Sequence, residues 1–111
     1  MVDHPRVTQV NALAEELLAE ARRQPARRAA RTLSNGVAQR ATLIAMADGA
    51  ELAEHDAPTA ATLQVITGRV RLHTREEEWL LDAGHLAVVP HQRHGLTARA
   101  DSVVLLTVAL R

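Results

Sequence analysis

Two stretches of this sequence share a spacing that narrows the fold more than any other feature. Gly49 to Gly68, GAELAEHDAPTAATLQVITG, runs as a glycine, five residues, His55, a short turn containing Pro58, an apolar β-type run and a closing glycine. Gly84 to His94, GHLAVVPHQRH, is again a glycine and five residues, then Pro90 and a histidine. Glycine permits the tight turn that opens each unit, and proline is tolerated only at strand ends and edges. Two strand pairs that each end on a histidine point to a small barrel presenting both imidazoles to one pocket.

The rest of the chain supplies strands at the density such a barrel needs. After Gly36 the pattern changes from helical to alternating or short apolar runs. Gln39 to Ala47 reads as a strand, and Asp48-Gly49 turns it. Strands follow over Leu52 to His55, Thr62 to Ile66, Arg69 to Thr74, Trp79 to Leu81, Leu86 to Val89, Gly95 to Ala98 and Val103 to Ala109. In the segment from Arg69, Val70 and Leu72 share one face while Arg69, Arg71 and His73 share the other. About eight short strands with turn signals between them predict an all-β barrel or jelly roll.

Upstream, VTQVNALAEELLAEARR (7–23) reads as an amphipathic helix, with Val7, Val10, Leu13, Leu17 and Ala21 on one stripe and Leu18 and Ala14 widening it. Glu15, Glu16 and Glu20 sit early and Arg22 and Arg23 late, which suits the helix dipole. Pro25 ends it. A second short helical piece is expected over Ala26 to Leu33, stopped by Ser34-Asn35-Gly36. The expected organisation is a helical arm over 1–36 and a barrel domain over 37–111, with the arm's stripe covered by the barrel or by a second copy of the chain.

Composition bounds function by exclusion. The 111 residues suffice for one core. They contain no Phe, no Tyr and one Trp, so that core must be filled by many branched side chains and therefore by many strands. No cysteine is present, which removes disulfides, thiolate catalysis and Cys-ligated zinc. Thirteen Arg balance thirteen acids, so nucleic acid is not an expected partner. The cluster Arg22, Arg23, Arg27, Arg28 and Arg31 lacks the interleaved aromatics that stack on single strands and reads as a solvated face that pairs with the acidic barrel of a neighbouring copy. No apolar segment of membrane-spanning length and no secretion signal is seen, so no membrane partner and a cytoplasmic location are expected.

At Gly49, His55 and Gly68, and at Gly84, Pro90 and His94, the sequence resembles the cupin superfamily, in particular the small stand-alone barrels of cupin-2 type. The resemblance covers roughly residues 38 to 110 and implies an all-β, cupin-type jelly-roll barrel behind the helical arm. It also implies a metal site, which this sequence keeps only in part. The second histidine of the family's first motif falls on Ala57 and its glutamate on Ala61. The glycine of the second motif falls on Gln92, its closing asparagine on Ala98, and its histidine, His94, stands one residue early. His55 and His94 remain, with His91 close enough in sequence to be a third candidate ligand. Gln64 or Thr62 would offer a neutral oxygen if their strand faced inward; if Leu63 and Val65 face the core, Gln64 points away.

The expected pocket is lined by His55, Leu63, Val65, Leu72, Trp79, Val88, His94 and Leu96, with Val70 and Leu86 adding to it. Three functions fit. A compact ligand held in an apolar pocket, oriented by the two histidines, would make the protein a sensor, carrier or accessory domain. A divalent Mn, Fe, Ni or Zn held by His55, His94 and His91 would make it an oxygenase, isomerase or cyclase. The third is a homodimeric interaction module built on the arm. Other candidates read as structure: His73 on a charged strand face, His85 at a turn, and Glu76 to Glu78 as a solubilising turn.

Overall fold

The computed structural model describes residues 5–110; residues 1–4 and 111, the outermost parts of the expected arm and barrel, lie outside it. One helix, α1 (Val10–Arg23), precedes nine strands: β1 (Arg28–Asn35), β2 (Gln39–Met46), β3 (Glu51–His55), β4 (Ala61–Thr67), β5 (Arg69–His73), β6 (Glu78–Asp82), β7 (Leu86–Val88), β8 (His94–Ala98) and β9 (Ser102–Ala109). A five-stranded sheet runs β1-β2-β9-β4-β7 and a four-stranded sheet runs β3-β8-β5-β6. All pairings are antiparallel, and the two sheets face each other as a jelly roll.

Two expectations about the arm are corrected. Residues 28–35 are not helical: they form β1, paired with β2 from Arg28↔Met46 to Asn35↔Arg40. The sheet therefore takes in residues that helix propensity assigned to the arm. Pro25 stops the helix, and Arg27, at φ 60, reverses the chain so that the Ala- and Arg-rich segment runs back along β2. Strand pairing outweighs the intrinsic preference of alanine and arginine for helix, which amounts to only tenths of a kcal/mol per residue. The helix also begins at Val10 rather than Val7. Its first turn holds no acid, so Glu15 and Glu16 sit mid-helix and only Arg22 and Arg23 complement the dipole.

The stripe itself is as expected. Ala14, Leu17 and Ala21 are buried against Ala29, Leu43, Ala45 and Val103 on the outer face of the larger sheet. Ala14 and Ala21, two turns apart, let the helix axis approach the sheet, and Leu17 fills the gap between them. The arm thus covers its apolar face within its own chain. Arg22 donates to Asp101 Oδ2 from Nε at 3.0 Å and from Nη2 at 2.6 Å, tying the end of α1 to the β8–β9 turn.

Between the sheets lies the main core, with Ile44, Met46, Leu63, Val65, Val70, Leu72, Leu81, Leu96 and Val104 buried. Alternation along the strands decides what enters it. Leu63 and Val65 face in, which leaves Gln64 exposed, and Val70 and Leu72 face in while Arg69, Arg71 and His73 face out. On that outer face Arg69 pairs with Asp82 at 2.6 Å and Arg71 pairs with Glu78. These are solvated cross-strand pairs of small worth. Thr74 Oγ1 accepts the N–H groups of Glu76 and Glu77, so the acidic segment before β6 is a side-chain-capped turn, as expected.

A cavity floored by two histidines

The residue that brings the two motif histidines together is an extra one. Along β3 and β8 the register runs Leu52↔Leu96 and then His55↔His94, so two residues of β3, Ala53 and Glu54, stand opposite Gly95 alone. This is a β-bulge. In an unbroken ladder His55 would face away from Leu52, because successive side chains alternate between faces. The bulge reverses that parity and turns His55 inward. His94 needs no such help, since it lies two residues from buried Leu96 on the same face. Glu54, displaced outward, lies 3.7 Å from Arg93 and 3.9 Å from His73.

The two imidazoles meet with ring centroids 4.5 Å apart and planes at 62°, edge to face. Each is tied to its own strand: His55 Nδ1 lies 3.0 Å from the Ala53 carbonyl and His94 Nδ1 2.8 Å from the Gln92 carbonyl. A carbonyl only accepts, so Nδ1 carries the proton in both rings. In the neutral imidazole Nε2 then holds a lone pair, and each ring keeps one acceptor nitrogen. His94 is 5% exposed, whereas His55 is open to solvent on one side.

These rings floor a cavity of about 410 Å³ at one end of the barrel, bounded by Arg40, Asp56, Pro58, Thr59 and the β9 residues Leu106 and Val108. Behind them a small apolar recess of about 30 Å³ is lined by Ile44, Leu52, Leu63, Leu72, Leu96 and Leu106, among others. Of the pocket expected from sequence, His55, Leu63, Leu72, His94 and Leu96 are brought together here. Val65 is buried deeper and does not border the cavity. Trp79 stands opposite Leu72 on the edge strand β6 and is 37% exposed. Val88 and Leu86, at 79% and 64% exposure, point outward from β7, because Ala87 is the residue of that strand that packs against the core.

His91 is not a third member of the site. It borders a different hollow, with Ala60, Thr62, Val88 and Thr107, on the outside of the larger sheet. Asp56 borders the histidine cavity but is 94% exposed and sits 3.6 Å from Arg93. Among the described residues no group of three His, Asp or Glu side chains is placed to hold a metal ion. Two imidazoles are one ligand short of the three protein ligands usual at a catalytic metal, so the donor set does not fit a resident metal. Sequence reasoning missed Arg40, Ile44, Leu52, Val89 and Leu106. The alternation of β2, in which Arg40, Thr42, Ile44 and Met46 share a face, carried the signal for the first two.

No family model and no curated protein matches this chain. Solved structures do. A conserved protein of unknown function from Streptococcus pyogenes superposes with a TM-score of 0.77 at 21% identity, covering 97% of this chain and 90% of its own. A cupin superfamily protein from Desulfitobacterium hafniense gives 0.71 at 14% identity over 76% and 78% of the two chains. KdgF from Halomonas sp. gives 0.69 at 22% over 80% and 84%. The jelly roll with its end cavity is the architecture of a small β-barrel. More particularly, the chain has the cupin fold, like the solved cupin-2 and RmlC-like cupin structures it superposes on, and carries an N-terminal helix. No described helix is long and apolar enough to cross a membrane.

Proposed function

We propose that the protein binds a compact organic molecule in the end cavity of the barrel, with His55 and His94 as the polar groups that orient it. One observation carries the reading: two imidazoles in edge contact, each fixed by its own main-chain carbonyl, floor a cavity whose inner wall is otherwise aliphatic. Its volume lies in the range of small-molecule sites, which are apolar with a few placed polar groups. Fixing both Nδ1 protons removes rotational and tautomeric freedom before a ligand arrives, which lowers the cost of binding.

The test is elemental analysis of protein purified without an affinity tag or added metal, together with native mass spectrometry for a co-purifying organic molecule, repeated on His55→Ala and His94→Ala. The expected result is no stoichiometric metal and an organic adduct whose occupancy falls in both variants. About one equivalent of metal, lost in both variants, would overturn the reading in favour of a metal-dependent catalyst that recruits its remaining ligands from solvent or substrate.

A further inference from the structure

The mouth of the histidine cavity holds a cation that the fold does not use. Arg40 lies on β2, on the face it shares with Thr42, Ile44 and Met46, opposite Asn35 on one side and Val108 on the other. It borders the same cavity as His55 and His94. Among the described residues its guanidinium makes no ion pair and no hydrogen bond, unlike Arg22, Arg69, Arg71 and Arg93. Among the described residues Asp56 is the carboxylate bordering the cavity, and it lies 3.6 Å from Arg93. The cavity therefore carries an uncompensated positive charge at its outer end and two hydrogen-bond acceptors at its inner end.

Resting on the reading of this cavity as a binding site, we infer that its ligand is a small hydroxycarboxylate, with the carboxylate at Arg40 and the hydroxyl donating to Nε2 of His55 or of His94. The logic is complementarity of chemical type. A guanidinium presents a planar fork of donors that matches the two oxygens of a carboxylate. Neutral imidazoles whose Nδ1 protons are spent on carbonyls accept at Nε2, so what they recognise must donate an O–H or N–H. A ligand anionic at both ends would set a carboxylate against two lone pairs. A ligand with no anion would leave Arg40 unused. The aliphatic recess behind the rings takes at most a methyl-sized group, so the ligand reaches little beyond the two imidazoles.

The experiment uses three matched probes on the intact protein: 3-hydroxybutyrate, its primary amide, and butyrate. Binding is followed by two-dimensional NMR that reads the imidazole nitrogens of His55 and His94. The hydroxy acid should bind roughly tenfold more tightly than either the amide or butyrate, the loss expected when one charge-assisted or one neutral hydrogen-bond set is removed. It should also shift the Nε2 resonance of at least one of the two imidazoles. Arg40→Gln should erase the preference for acid over amide while leaving amide binding in place; Arg31→Gln, an exposed cation on β1, should not. Amide and acid binding equally well to the wild type would overturn the anion inference and leave the cavity reading standing. If none of the probes moves either imidazole, the cavity reading falls and this inference with it.

Discussion

Gly68 is where the structure makes its sharpest demand on one residue. It joins β4 to β5 at φ +87, and the position a Cβ would occupy is already filled by the β8–β9 turn: the Asp101 carbonyl oxygen, Ser102 Oγ, and Ser102 Cα at 2.7 Å. Ser102 is fully buried; its hydroxyl accepts the Arg69 N–H at 3.0 Å and donates to the carbonyl of Ala100 at 2.8 Å or Arg69 at 3.0 Å. Gly68→Ala therefore carries two costs. Holding an L-residue in the left-handed region costs about 1–2 kcal/mol. Pushing the turn away disrupts the buried serine's hydrogen bonds, for roughly 1–3 kcal/mol more. The sum, about 3 kcal/mol, corresponds to a fall in Tm of roughly 10–20 °C for a domain of this size. Gly84 separates the two costs, since it has φ +92 but nothing within 4 Å of its Cβ position. Gly84→Ala should lose only the conformational part, about 1–2 kcal/mol. Urea unfolding followed by far-ultraviolet circular dichroism, at one pH and with m-values compared, measures both. Equal losses at the two positions would refute the close approach of the turn at Gly68.

Leu17 is 1% exposed between α1 and the outer face of the larger sheet, so Leu17→Ala should cost about 3 kcal/mol by equilibrium urea unfolding; a loss under about 1 kcal/mol would mean that the arm detaches without consequence. Asp101 accepts the Asp48 N–H at 2.8 Å and then the Arg22 guanidinium, in that order of importance, and both hold its carboxyl below the usual aspartate range. A depressed folded value means that its stabilisation is fully present above the unfolded value of about 3.9 and is lost as pH falls through the folded one. The partly exposed ion pair limits that stabilisation to about 1 kcal/mol, so wild type should exceed Asp101→Asn by about that much at neutral pH and the gap should close on acidification. A gap that persists unchanged in acid would remove Asp101's charge from the account.

Much of the fold is legible in the sequence because β-structure announces itself through alternation. Eight strands, the inward set of Leu63, Val65, Val70 and Leu72, and the helical stripe follow from period alone. Where alternation fails, so does the reading. The run Leu86-Ala87-Val88-Val89 is apolar throughout, so nothing in it tells which parity faces in; the structure turns Ala87 and Val89 toward the core and leaves Leu86 and Val88 outside. In β1, one side chain is buried, Ala29, and the strand exists because β2 offers it a backbone ladder. That is a long-range fact which the local preference of RAAR for helix cannot contain. The place of Arg40 is hidden in the sequence for a related reason, since a charged residue at the start of a strand reads as surface until the fold puts a cavity in front of it.

The motif spacing poses a subtler problem, and the bulge resolves it. In the cupin pattern that the sequence resembles, the second-motif histidine would fall at position 95, where this chain has a glycine. A side chain there would not reach the cavity: the Cβ position at Gly95 lies 2.9 Å from the ring of His73, on the charged outer face of the smaller sheet. A histidine one residue early is therefore the one that faces in. On the opposing strand His55 has the wrong parity relative to Leu52, and the additional residue at Ala53-Glu54 corrects it. One shifted histidine and one inserted residue thus act on the same ladder, each by a single step of a two-residue period, and together they place both rings over the same floor. The bulge also supplies the Ala53 carbonyl that fixes His55 Nδ1. The insertion therefore sets both the direction in which His55 points and the nitrogen it has left to offer.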